Sequence, residues 1–192
     1  MTSEAILDRV WKGEGSIFSL IPQEQLSRCS WSDLKQKTYA VLSYQWRTDW
    51  KLILKYISDP NGVKAEYIWI DIFCLNQLDG NRMATILKSN EIYFNAREYH
   101  LIEIGSLFRG WILFELSSVR KGCKPTIHTS ITEKKMHMKL REEFHEFGFE
   151  GCEFTKDSDK DVVRDMINKT HVSVKNFNDL VMEIINECMR DI

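Results

Sequence analysis

The sequence has little that would direct the chain to a membrane, a nucleic acid or an oxidising compartment. Its 192 residues carry 26 basic and 28 acidic side chains, a formal net charge of −2, so no excess of charge favours nucleic acid or a membrane surface. No stretch approaches the roughly 18 apolar residues of a membrane span. Residues 1–15 lack the basic start and long apolar middle of a secretory signal. We therefore expect a cytoplasmic protein without a nucleic-acid or membrane partner.

Metal and cofactor motifs are also missing. The five cysteines are widely spaced and form no CxxC pair, which fits reduced thiols better than a disulfide framework or a zinc site. The histidines show no zinc-ligand spacing. Gly105 and Gly110 have the spacing of a P-loop, but Trp111 occupies the lysine position, so phosphate binding is not expected there. We expect no metal and no bound cofactor.

The clearest strand pattern is an apolar run that begins at Tyr67 and is interrupted once, by Asp71. Short apolar runs bounded by polar residues predict strands buried on both faces of a parallel sheet. Asp71 lies at the end of this strand, and open α/β sheets bind ligands at the carboxyl ends of their strands. Asp71 is therefore a candidate site residue. The alternative is a structural role, since acidic residues there often hydrogen-bond the next turn or cap the next helix.

Strand patterns alternate with helical patterns up to about residue 130. Predicted strands cover 39–44, the run from Tyr67, 99–104 and 124–128, and predicted helices cover 50–57, 83–94 and 106–120. Beyond residue 130 we predict helices near 133–147, 159–169 and 177–190, and a short strand at 152–154. The predicted N-terminal caps of the last two helices are Ser158 or Thr155, and Asn176.

This alternation predicts an α/β fold with a doubly wound parallel sheet flanked by helices and a helical C-terminal extension. We divide the chain into an N-terminal helix and irregular lead-in over 1–38 and an α/β core over 39–128. Residues 129–192 form a mostly helical completion of the same domain. No repeat, low-complexity tract or linker marks a boundary.

One acidic residue stands out in the helix predicted after the third strand. Residues 107–119 are apolar nearly all round, which is typical of a buried helix, and Glu115 lies in the middle. No side chain one helical turn away is basic, so Glu115 must face a pocket or meet a partner from elsewhere. Trp111, one turn earlier on the same face, is a candidate wall of that pocket. Alternatively, Glu115 bonds Arg47, Arg109 or a backbone amide and has only a structural role, which is to hold the helix in place.

Three segments carry a resemblance to a known family. YAVLSYQW from Tyr39, YIWIDIFCLNQLD from Tyr67 and FRGWILFELSSV from Phe108 closely resemble the fungal heterokaryon-incompatibility (HET) domain. The pattern of that family is approximately YxALSYxWG, LWIDxxCINQxD and RxWxxQE. The resemblance covers roughly residues 39–121. Two positions depart from it, because Arg47 replaces the usual glycine and Phe114 replaces the usual glutamine.

HET domains are related to the TIR fold, so the resemblance implies a TIR/flavodoxin-like sheet. TIR enzymes that cleave NAD carry their catalytic glutamate in a WxxxE motif on the helix after the third strand, and Trp111 to Glu115 fits that motif. The resemblance thus implies a catalytic role for Glu115, which would stabilise the sugar cation formed as nicotinamide leaves. NAD+ or a related nucleotide would be the substrate rather than a cofactor.

The remaining candidate substrate-binding residues are Ser43, Tyr44, Trp46, Arg47, Asp71 and Trp111. Aromatic rings among them suit stacking on flat, partly cationic bases, and Ser43 and Asp71 suit hydrogen bonds to ribose or nicotinamide. The resemblance further implies immune or cell-death signalling and activation as a homo-oligomer, through surfaces around residues 72–82 and the C-terminal helices.

Other functions stay open at this point. A TIR-like module that signals by homotypic assembly without catalysis is the main alternative, and an enzyme that produces a nucleotide signal is another. Within the enzymatic hypothesis, attack by water, by the substrate's own adenine or by another base would give hydrolysis, cyclisation or base exchange.

Overall fold

The computed structural model describes residues 36–45, 48, 52–53, 55–56, 59, 62–65, 67–71, 90–120, 123, 125–128 and 134–189. Most of the predicted lead-in, the candidate residues Trp46 and Arg47, and the proposed self-association surface at 72–82 lie outside these ranges. The structural statements below concern the described residues.

A parallel sheet forms the centre of the described fold. Its strands are β1 (Tyr39–Ser43), β2 (Tyr67–Ile70), β3 (Glu98–Ile102) and β4 (Thr126–His128). Their order in the sheet is β2-β1-β3-β4, with every pairing parallel. This is the order of the first four strands in flavodoxin-like sheets. The prediction of an α/β fold with a parallel sheet flanked by helices is confirmed.

The central position of β1 explains its sequence. Leu42 pairs with Ile70 of β2 on one side and with His100 of β3 on the other, and all five residues of β1 are buried. A strand covered on both faces must be apolar along its length rather than alternating. The run from Tyr39 to Leu42 meets that requirement, which is why sequence patterning located the strand correctly.

Helices flank the sheet and fill the C-terminal part of the chain. They are α1 (Gly110–Ser117), α2 (Lys134–Phe147), α3 (Asp157–His171) and α4 (Val174–Met189). Residues 90–95 are also helical. None of the described helices has both the length and the apolar character needed to cross a bilayer.

The helix predicted at 106–120 is interrupted at Arg109. A 3-10 helix covers Ile104–Phe108, Arg109 is extended, and α1 begins at Gly110. The interruption lets Gly110 donate its N–H to the Glu153 carbonyl at 3.1 Å. A Cβ on Gly110 would lie 1.9 Å from the Phe154 ring, so this approach requires glycine. The short strand predicted at 152–154 is only an isolated bridge between Arg109 and Glu153.

The predicted helix caps are wrong. Lys156 precedes α3 and makes no side-chain cap bond, while the Thr155 hydroxyl accepts a hydrogen bond from Arg109 instead. At α4 the cap is Ser173, whose hydroxyl accepts the N–H of Asn176 at 3.2 Å. A serine immediately before the first helical residue is well placed to bond the third N–H of the helix.

The C-terminal helices share one hydrophobic core with the sheet. Phe114 of α1 packs edge-on against His171 of α3 at 6.5 Å between ring centroids. Phe177 of α4 contacts both His171 and Phe149 edge-on, at 5.5 and 5.9 Å. The helix that carries Glu115, α1, thus packs against α3 and α4.

Candidate active site

Glu115 and Ser43 meet at the carboxyl end of the central strand. Ser43 is the last residue of β1, and its Oγ donates to Glu115 Oε2 at 2.5 Å. Because β2 lies on one side of β1 and β3 on the other, this end borders the point where the strand order reverses. Open α/β sheets bind ligands at that point. The two predicted residues are therefore brought together at a topologically favoured position.

Tyr93, in the helical residues 90–95, is a further neighbour of Glu115 and lowers the pKa of its carboxyl. The ring is buried, with 2% exposed, and packs edge-on against Trp69 of β2 at 5.4 Å. Sequence patterning treats a tyrosine in an apolar helix face as core, so it did not select Tyr93 as a site residue.

A second hydroxyl–carboxyl pair lies beside the first. Tyr44 follows β1 directly and donates its Oη to Asp71 Oδ1 at 3.0 Å. Asp71 follows β2, as expected for a residue at the strand end. Its negative charge raises the pKa of Glu115. We refer to Ser43, Tyr44, Asp71, Tyr93 and Glu115 as the carboxyl cluster.

The pKa of Glu115 is raised from its usual value of 4.5 to about 8. Burial is the largest cause, since it disfavours the charged form, and the charge of Asp71 adds to it. Hydrogen bonds from Ser43 and Tyr93 act in the opposite direction. Glu115 as a whole residue is partly exposed.

No arginine neutralises this carboxyl within the described ranges. Arg109, one of the predicted structural partners, pairs with Glu153 at 3.7 Å and hydrogen-bonds Thr155. No other described basic side chain forms an ion pair with Glu115. The hypothesis that Arg109 locks Glu115 is therefore wrong, while Arg47 lies outside the described residues.

Trp111 is directed away from the carboxyl cluster. Its indole Nε1–H donates to Asp159 Oδ2 of α3 at 3.2 Å. Asp159 lies in the first turn of that helix. The indole N–H thus joins α1 to α3, and the structure does not bring it to Glu115. A contact of Trp111 with a nucleotide base stays a prediction.

Two side-chain bonds join the segments that follow β1 and β3. Gln45 Nε2 donates to the Gly105 carbonyl at 2.8 Å, and Thr48 Oγ1 donates to Glu103 Oε2 at 3.1 Å. Glu103 has a φ of 62°, a left-handed value that costs a non-glycine residue about 1 kcal/mol or more. Sequence patterning did not select these residues, because nothing local distinguishes them from ordinary loop residues.

Comparison with known proteins gives no match to a family model, to a curated protein or to a solved structure. The described residues also contain no group of three or more His, Cys, Asp or Glu side chains arranged to bind a metal ion.

Proposed function

We propose that this protein cleaves the nicotinamide–ribose bond of NAD+ or a related nucleotide, with Glu115 as the catalytic carboxylate. The observation that carries the proposal is the position of Glu115. Its carboxyl is held by Ser43 at 2.5 Å at the carboxyl end of β1, and no described basic side chain pairs with it. A partly buried acid with no counter-charge among the described residues is costly in a purely structural role, and such acids are common at sites that stabilise developing positive charge.

The chemistry requires few groups. When the bond between ribose C1′ and the pyridinium nitrogen breaks, the electron pair goes to nitrogen and neutral nicotinamide leaves without a general acid. The ribose becomes an oxocarbenium-like cation, as in glycoside cleavage. The Glu115 carboxylate stabilises that cation. Water then attacks C1′ and loses a proton, giving ADP-ribose, whereas attack by adenine or another base gives cyclisation or base exchange.

The raised pKa of Glu115 fits a cationic substrate. With a pKa of about 8, the free protein carries this group mostly as the acid near neutral pH. A positively charged nicotinamide ring beside it favours the ionised form. Binding of NAD+ therefore converts the acid into the carboxylate that the reaction uses.

The neighbouring residues supply candidate substrate contacts. Ser43 and Asp71 are placed to exchange their present bonds for bonds to ribose hydroxyls. We retain Tyr44, Trp46, Arg47 and Trp111 as further candidates. We also retain a cytoplasmic location, which the free thiols of Cys123 and Cys152 support, and a role in immune or cell-death signalling.

The first test replaces the proposed catalytic group with an isostere. Glu115→Gln keeps the shape of the side chain and a bond to Ser43, but it cannot carry negative charge. We expect nicotinamide release from NAD+ to fall by about 100-fold or more, measured by chromatography on purified protein. Glu91→Gln removes an exposed glutamate from the helical residues 90–95, outside both expected self-association surfaces, and should leave the rate unchanged. A rate that survives Glu115→Gln in folded protein refutes the assignment.

The second candidate is a TIR-like interaction module without catalysis. The bond from Ser43 to Glu115 favours it, because it ties β1 to α1 and would stabilise the fold with no substrate present. This candidate predicts intact NAD+ at every protein concentration, with self-association that Glu115→Gln leaves unchanged. The enzyme hypothesis with activation by assembly instead predicts a specific activity that rises with protein concentration. Mass spectrometry of the products would separate hydrolysis from formation of a nucleotide signal.

A further inference from the structure

We propose that Glu103 binds the adenosine ribose of the dinucleotide through the 2′- and 3′-hydroxyls and so makes the site prefer NAD+ to its 2′-phosphorylated form. This inference rests on the proposed function and deepens it, because it names the class of dinucleotide that the site accepts.

Glu103 lies at the edge of the sheet where a nucleotide is expected. It directly follows β3, the neighbour of β1 on the side opposite β2. The strand order reverses between β1 and β3, and flavodoxin-like sheets bind their nucleotide at this point. Thr48, from the segment after β1, donates its Oγ1 to Glu103 Oε2 at 3.1 Å. The bond therefore joins the two segments that flank the switch point.

The strand register relates Glu103 to the site of Glu115. Ser43, which donates to Glu115, is paired with Leu101 of β3, and Glu103 follows Leu101 by two residues. With a rise of about 3.3 Å per residue and about 4.8 Å between strands, the Cα atoms of Ser43 and Glu103 are about 8 Å apart. A pyrophosphate bridge separates the two riboses of a dinucleotide. A substrate with its nicotinamide ribose at Glu115 can therefore extend along this edge to Glu103.

The carboxyl of Glu103 keeps acceptor capacity for a ligand. Among the described residues, only the side chain of Thr48 bonds it, and no basic side chain pairs with it. Glu103 is partly exposed, whereas Thr48 is buried with 6% exposed, so their bond orients the carboxyl from the protein side. A carboxylate has about four acceptor positions. Most of them remain for two adjacent ribose hydroxyls, which are donors.

The backbone of Glu103 has a conformation that favours glycine. Its φ is 62° and its ψ is 123°, a region that residues with a Cβ rarely adopt. The conformation is held because the N–H donates to the His128 carbonyl at 2.9 Å and the carbonyl accepts the N–H of Ser106 at 3.0 Å. Strained residues of this kind cluster at ligand sites. A glutamate where glycine would be unstrained indicates a role for the side chain.

A carboxylate distinguishes a ribose hydroxyl from a phosphate by charge. The 2′-hydroxyl donates a hydrogen bond to it, whereas a 2′-phosphate brings a like charge to the same place. Acidic residues make this contact with the ribose 2′-hydroxyl in other dinucleotide-binding sheets. Glu103 should therefore bind the adenosine ribose of NAD+ and repel the 2′-phosphate.

The test compares nicotinamide release from NAD+ and from its 2′-phosphorylated form. For the native protein we expect kcat/KM to favour NAD+ by about 100-fold or more, since like charges in contact are strongly unfavourable. Glu103→Gln keeps the shape of the side chain and an acceptor for Thr48 but removes the charge. The preference should then fall to about 10-fold or less, mainly through KM. Glu91→Gln removes one negative charge from the exposed surface of the helical residues 90–95 and should keep the native preference.

A second variant covers the case in which Glu103→Gln does not fold. Glu103→Gly removes the carboxylate and adopts the positive φ without strain, so it should lose the preference as well. A preference that persists in a folded Glu103 variant would overturn this inference, with cleavage by Glu115 unaffected. Native protein that shows no preference for NAD+ would overturn it too.

If the native protein does not cleave NAD+, the proposed function fails and binding decides the role of Glu103. Calorimetric titration then compares ADP-ribose with its 2′-phosphorylated form. Tighter binding of ADP-ribose by the native protein, with the difference lost in Glu103→Gln, supports the inference. Equal binding of the two ligands, or no binding of either, overturns it.

Discussion

At the scale of single residues, the ionisation of Glu115 depends on a balance between named neighbours. Burial and the charge of Asp71 favour the acid, and the hydroxyls of Ser43 and Tyr93 favour the carboxylate. If the carboxylate is the reactive form, kcat/KM must rise with pH through the pKa of the free protein, near 8. This rise is the acid limb of the pH profile of kcat/KM. Substitution of a neighbour should then move the acid limb in a direction set by the charge or the hydrogen bond that is lost.

Substitutions at Asp71 and Ser43 should move the limb in opposite directions. Asp71→Asn removes a negative charge, so the pKa of Glu115 falls and the acid limb moves to lower pH. Ser43→Ala removes a donor to the carboxylate, so the pKa rises and the limb moves to higher pH. The measurement is the rate of nicotinamide release over about pH 5 to 10. Shifts in the same direction for both variants would contradict the balance described here.

At the scale of secondary-structure elements, β3 and β4 are joined by a histidine pair. His100 Nδ1 and His128 Nε2 are 2.7 Å apart, and His100 Nε2 is 3.0 Å from Glu98 Oε2. A carboxylate only accepts, so His100 carries its proton on Nε2, and His128 donates to Nδ1. The ring of Tyr56 packs against His128 at 4.6 Å. A proton added at His100 Nδ1 would remove the acceptor of this bond and so break the link between the strands.

The pair should make the fold sensitive to acid. Burial, followed by the electrostatic effect of His100, lowers the pKa of His128 from 6.5 to about 4, so the folded state disfavours its charged form. This stability is fully present above about pH 6.5 and is lost as pH falls through about 4, by up to about 3 kcal/mol. Urea unfolding across that range should show a shallower loss for His128→Gln, which does not titrate.

His145→Gln is the matched control, because His145 is exposed on α2. Its urea midpoints should follow those of the native protein at every pH. An equally steep acid loss in His128→Gln would assign the acid sensitivity to other groups, such as carboxylates.

The elements also explain which features the sequence could predict. β1 and β2 are buried parallel strands, and their apolar runs need no tertiary information to be recognised. Ser43, Asp71 and Glu115 were selected because polar residues at strand ends or inside an apolar helix are conspicuous. Tyr93 was not selected, because a tyrosine in an apolar helix face cannot be told from core by sequence, and its effect on the pKa of Glu115 depends on the fold. The break at Arg109 likewise depends on Phe154, which no local pattern connects to Gly110.

At the scale of the whole molecule, the C-terminal helices α3 and α4 pack against α1, the helix that carries Glu115. Phe177 of α4 is fully buried and contacts His171, which in turn contacts Phe114. Phe114 immediately precedes Glu115 in α1. A loss of packing in α4 should therefore destabilise α1, which holds the proposed catalytic group. No hydrogen bond between the described residues of α4 and Glu115 is needed for this effect.

Phe177→Ala tests whether the sheet and the C-terminal helices unfold as one unit. Removing a buried phenylalanine should lower the free energy of unfolding by about 3–5 kcal/mol, and a shared core predicts a single transition at lower temperature. Phe147→Ala removes a half-exposed ring from α2 (55% exposed) and should change stability by about 0.5 kcal/mol or less. Calorimetry, with nicotinamide release assayed at each temperature, provides the measurement. Two separate transitions, with activity surviving the first, would instead make residues 129–192 an independent lobe, and Glu115 would then be held by the sheet alone.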